Sequence, residues 1–197
     1  MNTKLSRLFA SIIEAGWLAA LIVTPLFFNV HSSRVFEPDK LSLLRSIALI
    51  MAVAWLGKTA NEGLGAFKAS AGEPSSLWQR IRMTPLVLPT LILVLSYLIS
   101  TVLSVSPRIS WWGSYQRMQG TYTTYSYIVI FCLLLGNLRR REQWLRIVYV
   151  MILTSLPIAF YGILQRTGAD PLPWGGNVRT RIASNMGNSI FVAAYLL

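Results

Sequence analysis

Apolar and polar positions alternate along this chain in long blocks, and the charged residues collect between the apolar blocks. Apolar runs cover about residues 11–30, 41–56, 86–104, 122–138 and 147–164, and a further run begins at Ser189 and continues to Leu197. A bilayer core of roughly 30 Å takes about 20 helical residues, so the first five runs predict membrane-spanning helices, the second of them short. The last run rises only about 13 Å as a helix. It predicts a truncated sixth span over 189–197 and a chain that is the N-terminal transmembrane part, residues 1–197, of a larger polytopic domain. The predicted fold is an all-α integral membrane protein, a polytopic helical bundle of about five complete transmembrane helices and an incomplete sixth.

Local signals place the boundaries. Glu14 is expected in the first turn of the first span, where the helix dipole favours a carboxylate. Pro38, in Glu37-Pro-Asp-Lys40, disfavours helix at Glu37 and starts the second segment. Arg45 lies about one turn inside the second run. It must snorkel outward or face a protein cavity, because a lipid-facing arginine costs about 3 kcal/mol. Residues 57–84 form the longest polar stretch and read as a flexible loop followed by an interfacial segment anchored by Trp78, Arg80 and Arg82. Within it Gly57-Lys-Thr59 matches the end of a phosphate-binding loop, but Ala52 stands where that pattern needs a glycine. Pro89 falls early in the third run, and Pro157 and Gly162 lie inside the fifth, where membrane helices tolerate them.

Composition agrees with the pattern. With 54% hydrophobic and 13% charged residues the chain does not fit a soluble domain. A formal charge of +11 raises the question of nucleic acid. The charges sit at the ends of apolar runs, however, where headgroups, topology or an anionic substrate explain them better, so no nucleic-acid partner is expected. The single cysteine, Cys132, excludes a disulfide framework and a thiolate metal site. Lys4 and Arg7 before an apolar stretch resemble a signal peptide, but the run is long and no A-x-A site follows, which predicts an uncleaved anchor.

Lysine and arginine counts set the orientation. An N-terminus inside places Lys4, Arg7, Lys58, Lys68, Arg80, Arg82, Arg139, Arg140, Arg141 and Arg146 on the inner side. It leaves Arg34, Lys40, Arg45, Arg108, Arg117, Arg166, Arg179 and Arg181 outside, balanced there only by Glu37, Asp39 and Asp170. The bias is small, but the arginine block 139–146 is the least translocatable piece and favours a cytoplasmic N-terminus.

The outer arginines have two open readings. They are loop residues that meet lipid headgroups, or they bind an anionic, partly apolar ligand such as a diphosphate, whose oxygens match the guanidinium fork. Arg179 and Arg181 precede the polar turn Ser184, Asn185, Gly187, Asn188 that starts the last helix, where free N–H groups add to anion binding. Trp111, Trp112, Tyr115, Tyr122, Tyr125 and Tyr127 fit an interfacial aromatic belt. In the sharper reading Trp111, Trp112 and Tyr115 offer flat faces to a sugar or isoprenoid beside Arg117, and Gly113 and Gly120 permit the tight turns of a re-entrant loop. Catalytic signals are sparse: the sequence has no H-E-x-x-H, no acidic metal cluster and one histidine, His31, which reads as interfacial. Asp170, in Asp170-Pro-Leu-Pro-Trp174, reads as a turn residue.

Two stretches together resemble a known family. Ser110-Trp-Trp-Gly-Ser-Tyr-Gln-Arg-Met-Gln-Gly-Thr121 in an outer loop, a basic inner loop, and Arg181-Ile-Ala-Ser-Asn-Met-Gly-Asn188 opening a helix with Ala193-Ala-Tyr-Leu196 are similar to the N-terminal half of bacterial O-antigen ligases and O-antigen polymerases. The family commonly continues the second motif as Gly-Asn-Pro-Asn, where this chain has Gly187-Asn-Ser-Ile190. The resemblance implies an enzyme of the bacterial cytoplasmic membrane that takes a glycan from a polyprenyl-diphosphate donor on the outer side. It passes the glycan to lipid A core, a growing polysaccharide or another glycan or lipid acceptor, among membrane lipids as the remaining partners. It implies no metal, no cofactor and no nucleotide sugar, and an inverting displacement in which arginines stabilise the diphosphate leaving group. The family's histidine base lies in a later outer loop, so the catalytic residue is unknown here and the 197-residue piece is expected to be inactive alone. The residues that carry over are Arg181, with Arg179 and Arg117, as diphosphate contacts, and Ser184, Gly187 and Asn188 as the helix-start motif. The competing expectations are part of a transporter or channel for an anionic or lipid-linked substrate, and a non-catalytic membrane scaffold.

Overall fold

A computed structural model of the protein describes residues 4–31, 36–62, 86–172, 174 and 176–197. Every regular element among them is helical. The helices are α1 (Lys4–Leu26), α2 (Glu37–Glu62), α3 (Val87–Val102), α4 (Pro107–Trp112), α5 (Thr121–Asn137), α6 (Arg141–Thr167) and α7 (Ser189–Leu196), with a 3₁₀ turn at Ser184–Met186. The expected interfacial anchors Trp78, Arg80 and Arg82, and Arg34 and Lys68 of the charge count, lie outside the described residues.

Among the described residues, three helices are long and apolar enough to cross a membrane: α1, α2 and α6, of 23, 26 and 27 residues. Their outward side chains are what lipid would cover. Val53, Leu153, Phe160 and Ile163 are each more than half exposed, a density of bare apolar surface that a water-soluble protein does not carry. The all-helical architecture and these faces are those of a helical membrane protein. Helix α3, with 16 residues, is apolar but shorter, about 24 Å at 1.5 Å per residue.

Several boundaries differ from the hydropathy reading. Helix α1 begins at Lys4, so Glu14 lies well inside it and not in its first turn. Helix α2 is long where a short span is expected. It runs through Gly57-Lys-Thr59 to Glu62, so that stretch is helix, neither loop nor phosphate cradle. Packing carries the extension. The Phe9 ring lies against Gly57 closely enough that a Cβ there would meet ring carbons at 2.6–3.0 Å. Lys58 Nζ donates to Asn137 Oδ1 at 3.1 Å, and the Ser6 hydroxyl donates to the Glu62 carboxylate. Arg45 is only 4% exposed, which decides its alternatives: the side chain faces protein. Helix α6 takes in Gln165 and Arg166, beyond the end of the fifth apolar run at about residue 164. At its other end the Gln143 Oε1 accepts the N–H groups of Arg139 and Arg140 at 2.9 and 3.0 Å, satisfying donors that precede the helix.

The chain forms two compact units, Met1–Glu14 with Ala48–Asn137 and Ala15–Ile47 with Leu138–Leu197, and α1 and α2 contribute to both. In the first unit Ile13 and Met51 are fully buried, and α3, α4 and α5 pack together. In the second, Trp17, Leu41, Leu44, Ile158 and Val192 are buried, and α6, the 3₁₀ turn and α7 are in mutual contact.

Candidate functional site

The first unit contains the tryptophan-rich loop. Helix α4 starts with Pro107 and ends at Gly113, whose φ of +84° suits glycine. Gly120 returns so close to the Trp111–Gly113 backbone that a Cβ would collide with it. The two glycines close the loop, as the expected tight turns require. Hydroxyl bonds hold its base: Ser104 to Ser110 at 2.6 Å, and Thr121 Oγ1 to the Ser110 carbonyl at 3.2 Å. Trp111 is half-buried, stacked on Tyr122 with ring centroids 6.3 Å apart and edge-on to Tyr125 at 6.0 Å. Trp112 meets Tyr122 edge-on at 5.5 Å yet remains 50% exposed, and Tyr115 is 70% exposed. Of the three expected contact aromatics, Trp111 is the most packed, and Trp112 and Tyr115 are exposed. Arg117 is exposed in the turn after Tyr115, its N–H donating to the Ser114 carbonyl at 3.1 Å.

The second unit contains the Arg179–Asn188 segment, which is wound around Gln165. This glutamine is fully buried near the end of α6, and its Oε1 accepts the N–H groups of Ala183 and Ser184 at 3.1 and 2.8 Å. Ser184, also fully buried, donates its hydroxyl to the Ile158 carbonyl at 2.7 Å. These bonds hold Ser184 at a φ of +45°, a left-handed conformation that costs a non-glycine residue about 1–2 kcal/mol. Gly187 follows at φ +74°, and a Cβ there would meet the Phe36 ring at 2.5–2.9 Å. Asn188 then caps α7, its side chain accepting from the Ile190 N–H at 2.9 Å. Ser184, Gly187 and Asn188 thus each have a distinct mechanical part in starting the helix.

Around this turn runs a ladder of rings: Tyr161 on Phe28 at 5.9 Å, Phe28 on Phe36 at 6.0 Å, and Phe36 on Trp174 at 5.4 Å, all nearly parallel. Lys40 Nζ donates to the Asn185 carbonyl at 2.8 Å and sits 5.9 Å from the Phe36 centroid, a cation–π contact. Asp170 is the polar hub. Its carboxylate accepts the Leu172 N–H at 3.0 Å, the Trp174 indole N–H at 2.7 Å and the Tyr161 hydroxyl at 3.0 Å. Burial pushes the Asp170 carboxyl up, but these bonds outweigh it and hold the group below its ordinary 3.8.

The three arginines occupy different settings. Arg179 lies across Gly168, close enough for a Cβ there to meet its Cζ at 2.5 Å, and Arg166 donates to its carbonyl. Its charge therefore faces the C-terminal end of α6, where the helix dipole favours a cation. Arg181 lies at the start of α7, with Nη2 donating to Ser189 Oγ at 3.3 Å, and it is exposed. Arg117 belongs to the first unit. Arg179 and Arg181, expected together as an anion site, lie against different helix ends: Arg179 on Gly168 after α6 and Arg181 at the first turn of α7. A cavity of about 220 Å³ opens beside Arg179, lined also by Gln165, Asp170, Trp174 and Asn177.

Gln165, Phe28, Phe36 and Lys40 were not distinguishable as site residues in the sequence. The usable signals were a glutamine in the apolar helix α6 and a phenylalanine beside the Glu37-Pro38 helix start. No group of three or more metal-ligating side chains occurs among the described residues. Compared with protein-family models, with curated proteins and with solved structures, the chain matches none.

Proposed function

We propose that the protein works in the transfer of a glycan from a polyprenyl-diphosphate donor to a glycan or lipid acceptor at the outer face of the bacterial cytoplasmic membrane, in the manner of the O-antigen ligases and polymerases it resembles. The observation that carries this reading is Arg181. It is an exposed guanidinium tied to Ser189 at the capped first turn of α7, where its fork, the local N–H groups and the helix dipole all favour phosphate oxygens. In this reading α3, α5 and α7 also enter the bilayer, giving five complete spans and a sixth, with the N-terminus cytoplasmic. The short helices α3 and α5 then sit in thinned or protein-lined parts of the bilayer.

The reaction is a displacement at the anomeric carbon. An acceptor hydroxyl oxygen forms the new bond from the face opposite the leaving group, and the bond from the anomeric carbon to the diphosphate oxygen breaks. The electron pair leaves with the polyprenyl diphosphate, and the hydroxyl proton passes to a general base. Arg181 acts where negative charge grows on the leaving group, so its contribution is larger in the transition state than in the bound donor. Arg181→Ala, placed in the protein at its native locus, is expected to lower transfer by about 10²–10³, with Arg181→Lys recovering part of it and membrane levels of the protein unchanged. Transfer that persists at the wild-type rate in Arg181→Ala membranes refutes the assignment and leaves a scaffold or a transporter.

A further inference from the structure

The cavity beside Arg179 is chemically unlike the setting of Arg181. Its walls carry the Asp170 carboxylate, the Arg179 guanidinium, the Asn177 and Gln165 amides and the Trp174 indole. Cation and anion offset each other, and the carboxylate opposes any incoming phosphate. What remains is a set of planar groups in which donors and acceptors alternate, with an aromatic edge. Vicinal hydroxyls, each a donor and an acceptor, match such walls, whereas a diphosphate does not. At about 220 Å³ the space falls below the roughly 300–1,000 Å³ taken by drug-sized ligands, so it suits one sugar ring and not a run of them.

A second observation points to a ligand there. Gln165 is fully buried, and with Oε1 committed to Ala183 and Ser184 its Nε2 makes no hydrogen bond of proper geometry. Gln165 itself lines the cavity, as does Asp170. A buried amide donor left without a well-formed bond costs about 1–3 kcal/mol, and an acceptor hydroxyl entering beside Asp170 would satisfy it. The wall is already fixed: Asp170 is held by three hydrogen bonds, Trp174 is stacked on Phe36, and Arg179 is pinned on Gly168, so little ordering is needed on binding.

We infer that the cavity lined by Gln165, Asp170, Trp174, Asn177 and Arg179 binds a single neutral monosaccharide unit, with the Gln165 amide and Asp170 carboxylate bonding adjacent hydroxyls. The inference deepens the glycan-transfer reading and rests on it for the origin of the sugar, but not for the binding itself. In the bound state the sugar unit would be read here while the diphosphate chemistry belongs to Arg181, so specificity and leaving-group stabilisation reside in separate groups.

The test is saturation-transfer NMR on the full chain in detergent micelles, with methyl glycosides of glucose, galactose and N-acetylglucosamine as probes and inorganic phosphate as competitor. Saturation is expected to reach the ring protons of at least one glycoside and to be unaffected by phosphate. Gly176 lines the same cavity and a Cβ on it meets nothing within 4 Å, so Gly176→Trp sets a bulky ring beside the cavity with no clash at its Cβ and should abolish the signal. Circular dichroism checks that the helices persist, and Asn177→Ala, which should weaken the signal, is the second variant if Gly176→Trp does not fold. Arg181→Ala should leave it intact. The inference is overturned by no transfer to any of the glycosides, by displacement with phosphate, or by a signal that survives in folded Gly176→Trp protein and in Asn177→Ala. Glycoside binding alongside wild-type transfer by Arg181→Ala would instead remove the transfer reading and leave the sugar site standing.

Discussion

Replacing Gln165 by leucine tests the arrangement on which the whole Arg179–Asn188 segment depends. The substitution removes an acceptor that takes two backbone N–H groups, those of Ala183 and Ser184, in a fully buried position. Leaving each donor unsatisfied costs about 1–3 kcal/mol, so the closed turn loses about 2–6 kcal/mol. The Ser184 conformation, at φ +45°, adds about 1–2 kcal/mol of strain that those bonds now offset. The Ser184 hydroxyl bond to the Ile158 carbonyl remains, but one such bond is worth only about 0.5–1.5 kcal/mol and cannot hold the turn alone. Loss of the poorly bonded Nε2 from the interior gives back some of this, which places the net effect nearer the lower figure. Hydrogen exchange read by mass spectrometry on peptides spanning 182–188 should show protection at Ala183 and Ser184 falling by at least about tenfold, the equivalent of 1.4 kcal/mol. Peptides from the middle of α6 should keep theirs. Gln165→Glu, which retains the acceptor oxygen, should keep most of the protection. Unchanged protection at Ala183 and Ser184 in the leucine variant would show that the glutamine does not hold the turn, and the strain argument would fail with it.

Two further outcomes follow from the same cluster. Gly187→Ala forces a Cβ into the Phe36 ring at a φ of +74° and should destabilise the turn by about 2–4 kcal/mol, combining left-handed strain with overpacking, seen as lost protection at 184–190; a neutral result would mean that Phe36 moves freely. Asp170 has a carboxyl held below its ordinary 3.8 in the folded chain, so its stabilising effect is complete above that pH and is lost as the pH falls through the lower folded value; protection at Leu172 should decline only below about pH 4, and Asp170→Asn should abolish that decline, whereas an identical acid profile in the variant would assign the effect elsewhere.

How much of this could be read from residues alone follows from what each feature depends on. The helices were legible because lipid imposes one rule everywhere: backbone groups must bond within the segment and side chains must be apolar. Their ends were less so. Helix α1 already includes Lys4 and α2 still includes Glu62, both in polar stretches, where hydropathy falls silent and tertiary bonds such as Lys58 to Asn137 act. The loop glycines Gly113 and Gly120 were legible because a tight turn needs a missing Cβ wherever it occurs. The site was only partly so. The polar turn before α7 announced itself, but Lys40 reaches the Asn185 carbonyl across 145 positions, and Asn185 reaches the Leu26 carbonyl across 159. Nothing local marks such pairs.

The same geometry explains why Arg179 and Arg181, two residues apart and alike in sequence, separate in role. The hydrogen-bonded turn at 177–181, with the Thr180 and Arg181 N–H groups donating to the Asn177 carbonyl at 3.3 and 3.1 Å, sends the two guanidinium groups to opposite kinds of helix end. Arg179 meets the carbonyl end of α6, where its charge is already compensated. Arg181 meets the N–H end of α7, where dipole and guanidinium have the same sign and each disfavours the other until an anion arrives. A positive side chain at that end weakens the helix by about 0.3–1 kcal/mol, and an anion bound there removes the penalty while gaining the guanidinium's bonds. In the transfer reading, binding a diphosphate at Arg181 would relieve a repulsion already present, and Arg179, whose charge already faces the carbonyl end of α6, would have no such gain.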